Sequence, residues 1–224
     1  MDRLNSPARN EERPAGVPVA AYAVVAAGVS AALHLGKLAP AVPALRESLG
    51  IGLVEAGFLL SLVQVAGMAL GLAVGLMADT LGLRRSMLIG LVLVTLAGAA
   101  GGMVQSGPQA LRWLLLLRAL EGMGFLLAVM PGPGLIRSLA SPTAEKASMG
   151  LWGAYMPVGV SLALLAGPPF IARSGWHGWW WLISLISAAA AIWVAVAVRP
   201  DAPRRTGAGG APPWPGGVEL TLAA

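Results

Sequence analysis

Cysteine is absent from this chain of 224 residues, which excludes a disulfide framework and any thiolate-ligated metal site. Charge is also scarce. Asp, Glu, Lys and Arg make up 11% of the residues, whereas a soluble domain carries roughly 25%. Histidine occurs only at 34 and 177, and neither has a convincing serine partner on another helix, so a Ser–His hydrolytic pair has little to build on. Long apolar runs stand in the place of charge. The chain is 57% hydrophobic with a mean hydropathy of +0.75, which puts it in the membrane class.

A net charge of +5 and a pI near 10.7 would suit a nucleic-acid binder. The basic residues instead fall in short clusters between the apolar runs, where they act as topology determinants, and nucleic acid is not an expected partner. The runs cover 17–43, 51–78, 86–106, 111–136, 146–171 and 177–198. Each meets the roughly 20 helical residues that cross a hydrocarbon core of about 30 Å. None alternates polar and apolar positions, so a β-barrel is excluded. The expected fold is an all-α membrane protein of six transmembrane helices, embedded in the lipid bilayer, with a transmembrane domain at 17–198.

The leader at 1–16 mixes Arg3, Arg9 and Arg13 with Asp2, Glu11 and Glu12 and has no clear cleavage site, so it reads as a disordered cytoplasmic segment and not a signal peptide. With the N-terminus inside, Arg84, Arg85, Arg137, Lys146, Arg199, Arg204 and Arg205 join the three leader arginines on the cytoplasmic side, ten in all. Arg46, Arg112 and Arg173 face outside, and Lys37 and Arg118 fall within spans. Ten against three is a positive-inside bias that puts both termini in the cytoplasm. Trp113, Trp176, Trp179, Trp180 and Trp181 lie at outer span ends and are expected to form an interfacial belt. The Pro/Gly-rich tail at 199–224 reads as a cytoplasmic linker. Its apolar end, Val218 to Ala224, fits either a chain truncated before a seventh span or a short disordered tail.

Several polar residues interrupt the apolar runs. Ser30, His34 and Lys37 are spaced four and three apart and form one stripe on span one. Arg118 and Glu121 are three apart on span four and can pair. Intramembrane charge is costly and usually faces the bundle interior. Arg118 with Glu121 is therefore either a substrate and proton-coupling pair or a structural ion pair, and Lys37 either a cavity cation or a side chain snorkelling to the outer interface. For His34 a helix–helix hydrogen bond competes with a ligand role. Trp152, Tyr155 and Gly159 share a face of span five, as an aromatic cavity wall or as lipid-facing packing. Gly67, Gly71, Gly75 and Asp79 recur every four residues on span two, a stripe that lets a second helix approach closely.

Gly75-Leu-Met-Ala-Asp79-Thr-Leu-Gly82-Leu-Arg84-Arg85 resembles the G-x-x-x-D-R/K-x-G-R/K-R/K signature between spans two and three of the major facilitator superfamily. Thr80 and Leu83 depart from it. Arg118-Ala-Leu-Glu121-Gly122-Met-Gly124 resembles the superfamily's R-x-x-x-G-x-G pattern in span four. Lys37-Leu-Ala-Pro40-Ala-Val-Pro43 and Trp152-Gly-Ala-Tyr155-Met-Pro157-Val-Gly159 look like its cyanate/2-nitroimidazole-transporter-like branch. The resemblance implies the N-terminal six-helix half of the superfamily fold. In it Gly75, Asp79, Gly82, Arg84 and Arg85 would form a cytoplasmic gating motif, and His34, Lys37, Arg118 and Glu121 would look into one central space. The summed charge there, +1 with His34 neutral, suits an anion.

The function so implied is secondary active transport of a small solute by alternating access, coupled to protons, in a bacterial inner membrane, without cofactor or metal and without catalysis. A half of this kind needs a second copy of itself or a complementary C-terminal half; otherwise it is an inactive half-transporter or a membrane assembly partner. Two remoter readings are weaker. A permease subunit of an ATP-driven importer carries a cytoplasmic coupling loop, and the nearest string, Glu55-Ala-Gly57, falls on the outer face. An intramembrane protease wants G-x-S-x-G, and Gly28-Val-Ser30-Ala-Ala lacks the closing glycine. The cysteine-free background allows a direct topology test. Ser141→Cys is expected to react with a membrane-impermeant maleimide only from the cytoplasmic side and Gly107→Cys only from outside; the reverse pattern would invert the topology.

Overall fold

The computed structural model describes residues 16–200, with backbone only at 66–68 and 70–80. Positions 1–15 of the leader, the tail at 201–224, and Gly67, Gly71, Gly75 and Asp79 of the span-two stripe as packing or gating residues lie outside what is described. Among the described residues every regular element is helical: α1 (Val19–Gly36), α2 (Leu38–Leu49), α3 (Leu53–Leu81), α4 (Leu83–Gly101), α5 (Ala110–Val129), α6 (Gly132–Leu139), α7 (Pro142–Gly153) and α8 (Tyr155–Ala197). Four stretches among the described residues are long and apolar enough to cross a membrane: Val19–Leu49, Leu83–Gly101, Ala110–Leu139 and Pro142–Ala197. α3, at 29 residues, extends about 44 Å at 1.5 Å per residue.

Proline explains three of the breaks. A proline has no N–H to give the carbonyl four residues earlier, and its ring crowds that carbonyl. Pro40, Pro133 and Pro157 stand four residues after Gly36, Val129 and Gly153, the last residues of α1, α5 and α7. The apolar runs at 17–43, 111–136 and 146–171 are thus each built from two helical pieces. Glycine makes the sharper turns. Gly50 caps α2 at φ 67°, and Gly82 joins α3 to α4 at φ 93°, ψ 153°, a region open only to glycine. Ser141 opens α7 by accepting the Ala144 N–H, with Pro142 in the first helical turn, the usual arrangement of cap and N-terminal proline.

α8 spans 43 residues but is interrupted at Gly175, where φ is 68° and ψ is 172°. Its two arms pack differently. Gly28 faces Tyr155, Gly36 faces Val160 and Ala163, and Gly167 faces Pro40, so the first arm runs parallel to α1 and α2. Gly101 faces Trp180, Gly98 faces Ser184, and Arg84 reaches Ala195 and Val198, so the second arm runs antiparallel to α4. Gly90 faces Ala128, and Gly124 faces Val94, which makes α4 and α5 antiparallel in turn. α1 is antiparallel to α5, with Lys37 beside Glu121 and Ala23 to Ala31 clustered with Ala128 to Ile136. The chain therefore reverses direction at Gly175.

The buried apolar side chains form two layers. One holds Val24, Ala27, Met87, Leu91, Ala128, Ile136, Trp152 and Val194. The other holds Leu38, Leu45, Leu59, Leu114, Trp176, Trp179, Trp180 and Ile183. Three of the expected belt tryptophans belong to this second layer: Trp176, Trp179 and Trp180 are 3%, 2% and 1% exposed. Of the five, Trp113 and Trp181 are exposed. Two of the buried indole N–H groups find internal acceptors, Trp176 on Ser48 Oγ and Trp179 on the Lys37 carbonyl, as buried indoles usually do.

The α4–α5 crossing sets backbone against backbone. A Cβ at Gly90 would lie 2.3 Å from the Ala128 amide nitrogen and 2.6 Å from the Gly124 carbonyl oxygen, both rigid backbone. Gly90→Ala is expected to lower stability in detergent by about 1–3 kcal/mol through forced separation of the helices. Gly57→Ala, where a Cβ meets nothing within 4 Å, is expected to be neutral or to stabilise by up to about 1 kcal/mol through helix propensity. Thermal unfolding of the two variants side by side checks the contrast.

Candidate functional site

Between the two apolar layers lies a cluster of ionisable side chains from α1, the α1–α2 junction and α5. The Pro40 break ends α1 inside an apolar run, and a helix end leaves carbonyls without intrahelical donors and a partial negative charge. Cations gather there. Arg118 Nη1 donates to the His34 carbonyl at 2.8 Å, and its Nε donates to the Leu59 carbonyl at 3.4 Å. Lys37 is the junction residue itself, and its own carbonyl accepts the Trp179 indole N–H at 3.1 Å.

One carboxylate binds the cluster together. Arg118 Nη1 donates to Glu121 Oε2 at 2.6 Å, and Lys37 Nζ donates to Glu121 Oε1 at 2.5 Å. His34 Nδ1 is 3.4 Å from the same Oε1 and 3.1 Å from Lys37 Nζ. His34 Nε2 is 2.9 Å from Ser187 Oγ on the second arm of α8. Lys37 Nζ also lies 4.9 Å from the centroid of the Trp180 ring, within cation–π range. None of the four residues is more than 2% exposed. With His34 neutral, two cations and one carboxylate leave a formal charge of +1 sealed in the bundle. The charges carry their partners with them, since a buried ion persists only when paired and hydrogen-bonded.

His34, Lys37, Arg118 and Glu121 thus stand in mutual contact, buried within the bundle. Lys37 is fully buried, so it does not snorkel to the interface. Its partner is the Glu121 carboxylate on α5, a contact that only the packed bundle supplies. Ser30 does not join: its hydroxyl donates to the Ala27 carbonyl of its own helix at 2.9 Å. Trp152 and Tyr155 lie in the other apolar layer, stacked on each other with ring centroids 4.5 Å apart. The Trp152 ring fits against Gly28 and Gly132, where a Cβ would come within 2.8 Å and 2.2 Å of it.

The expected gating segment is described from Gly82 onward. Gly82 makes the turn, and Arg84 donates through Nε to the Val198 carbonyl at 2.8 Å and through Nη2 to the Ala195 carbonyl at 2.7 Å. A guanidinium on the last carbonyls of α8 is a favourable C-terminal cap. Arg85 is exposed. Sequence reasoning missed Ser187, Gly98 and Trp180. Gly98 lets the cluster approach α4, since a Cβ there would lie 2.7 Å from His34 Cε1 and 3.3 Å from Glu121 Oε1. The readable signal was Ser184 and Ser187, a polar pair one turn apart on an apolar helix.

A bundle of membrane-crossing helices that seals an ion cluster between two apolar layers defines a polytopic membrane protein with charged chemistry in its interior. The family model of the Major Facilitator Superfamily matches residues 19–220. The chain belongs to this superfamily and is a transporter of the major facilitator type, a class that acts on small solutes within the membrane and is not an enzyme class. Comparison with curated proteins gives no match.

Removing the shared carboxylate isolates two cations in an apolar interior. Glu121→Ala is expected to cost about 3–5 kcal/mol of stability, the usual penalty for a broken buried pair. The exposed pair of Arg137 and Glu145, 3.5 Å apart, sets the comparison: Glu145→Ala is expected to cost less than about 1 kcal/mol. Apparent melting temperatures in detergent measure both.

Proposed function

We propose that the chain moves a small monovalent anion across a bacterial inner membrane by alternating access, through six spans with both termini in the cytoplasm. The observation that supports this is the surplus cation of the buried cluster. Lys37 and Arg118 both engage Glu121, so the carboxylate acts as a resident anion that holds the site closed. A substrate anion competes with it for Lys37, and a carboxylate-sized ligand can reproduce the charge-assisted hydrogen bonds that it displaces. The apolar layers on either side act as the two barriers, one of which opens while the other stays shut. The +1 charge favours an anion over a cation in a medium of low dielectric.

The six spans follow from the apolar runs and are supported by the reversal of the chain at Gly175. The transport pathway is completed by a second six-helix unit, either another copy of this chain or a complementary half, as the pseudo-symmetric construction of such transporters requires. The resemblance of the segments at Lys37–Pro43 and Trp152–Gly159 to the cyanate/2-nitroimidazole-like branch belongs to the same reading. Gly75, Asp79, Gly82, Arg84 and Arg85 serve as the cytoplasmic latch, with Arg84 holding the end of α8.

A second reading is supported by the completeness of the internal pairing: the cluster is then a structural lock, and the chain an assembly partner or an inactive half. Proteoliposomes separate the two. The full chain is expected to take up labelled cyanate, formate or nitrate above the rate of empty vesicles. Lys37→Met and Arg118→Gln are expected to reduce uptake at least about tenfold, the effect of about 1.4 kcal/mol at the site, while protein folded by circular dichroism remains in the vesicles. Flux of none of these anions, with the chain alone or with a complementary half, overturns the transport reading and leaves the structural one.

A further inference from the structure

His34 stands where α1, α5 and the second arm of α8 meet, and its two ring nitrogens have different partners. Nε2 lies 2.9 Å from Ser187 Oγ. Nδ1 lies 3.1 Å from Lys37 Nζ and 3.4 Å from Glu121 Oε1. An ammonium group only donates, so the shorter Nδ1 contact requires a bare nitrogen. A neutral imidazole then carries its proton on Nε2 and donates it to Ser187. The carboxylate stands behind, 3.4 Å away, and becomes the partner of Nδ1 once that nitrogen bears a proton and Lys37 has left. Arg118 meets this residue only through the His34 carbonyl and through Glu121. α4 presents Gly98, packed so closely that a Cβ would lie 2.7 Å from His34 Cε1. The ring is wedged against backbone there, so it changes its hydrogen bonds by gaining or losing a proton and not by turning over.

We propose that His34 is a proton-carrying position gated by Lys37, with Ser187 as the positioning residue that holds the ring to the task. While Lys37 occupies Nδ1, the ring is neutral and donates from Nε2 to Ser187. When a monovalent anion draws Lys37 away, the lone pair of Nδ1 takes one proton from the aqueous side, forming an N–H bond as a hydronium ion gives up its proton and becomes water. The imidazolium then donates to Glu121 from Nδ1 and to Ser187 from Nε2. Lys37 with the anion is neutral, Arg118 with Glu121 is neutral, and His34 carries one positive charge. The buried charge is +1 before and after, so one proton enters with one anion and no further charge has to be desolvated. The stoichiometry rests on the anion-transport reading above; the hydrogen-bond assignment at His34 and Ser187 stands without it.

Nitrogen NMR of the full chain in phospholipid nanodiscs, labelled at the imidazole nitrogens of histidine, tests this without any substrate. The chain has two histidines, and His177→Asn assigns the signals. The expected result for the unaltered chain is one protonated and one bare nitrogen, with the proton on Nε2. Ser187→Ala keeps every charged group and is expected to replace this single pattern by a mixture of tautomers, which Ser187→Thr restores. Lys37→Met imitates withdrawal of the ammonium and is expected to show a doubly protonated ring at a pH where the unaltered chain shows a singly protonated one. A proton on Nδ1 in the unaltered chain overturns the proposal, as does an unchanged tautomer in Ser187→Ala. A ring that stays neutral in Lys37→Met over the same pH range overturns the gating by Lys37. Should Lys37→Met fail to fold, the Ser187→Ala comparison decides the assignment alone. Failure of anion uptake in vesicles with these NMR patterns intact would refute the transport reading and leave the proton site standing.

Discussion

The Glu121 carboxylate is the group on which the rest of the structure depends. It accepts from Arg118 on its own helix and from Lys37 at the α1–α2 junction, and it lies beside the His34 ring. In an apolar interior each of these ions would be prohibitively exposed to low dielectric if left alone. Their mutual pairing therefore fixes how α1 and α5 stand relative to one another, because a slide of one helical turn would separate charges that water cannot reach. Arg118 extends the tie to the backbone of α1 and α3 through carbonyl oxygens, and His34 extends it to α8 through Ser187.

The cluster exists where it does because the helices break and approach where they do. Pro40 ends α1 within an apolar run, turning the negative end of a helix dipole toward the interior and giving Arg118 the His34 carbonyl to bind. Glycines then remove the bulk that would keep the helices apart. Gly90 and Gly124 let α4 and α5 meet backbone to backbone, and Gly98 lets the ring of His34 and the carboxylate of Glu121 lie against α4. Three of the five tryptophans expected at the membrane surface, Trp176, Trp179 and Trp180, lie in the core, and the Trp180 ring lies within cation–π range of the Lys37 ammonium. In a membrane, where lipid is as apolar as leucine, close packing of small residues and polar contacts supply the specificity that hydrophobic burial supplies in water.

Under the proposed transport reading, stability and function share one set of residues: the pairing that closes the site supplies the interactions that a ligand replaces, and a conformational change is driven only by a ligand that contacts Lys37 and Arg118 differently in the two states. The cap that Arg84 places on the end of α8 connects the opposite end of the bundle to the same arm that carries Ser187, and a movement of that arm is felt at both places.

The linear sequence determined the membrane class, the helical fold, the apolar runs and the identity of the charged residues, because hydropathy, the positive-inside bias and the cost of intramembrane charge act locally and leave a trace in composition and spacing. The proline breaks after Gly36, Val129 and Gly153 were not anticipated, since the apolar runs continue across them, although a proline stands four residues beyond each. Nor were the partners. That Lys37 pairs with Glu121 and is not drawn to the interface, that Ser30 turns back on its own helix, that Trp152 and Tyr155 pack in the other layer, and that Ser187 faces His34 all depend on which faces of distant helices meet. Helical spacing tells which side chains share a face, but the direction of that face is settled only when distant helices come into contact at glycines, as at Gly28 against Trp152 and Gly98 against Ser184.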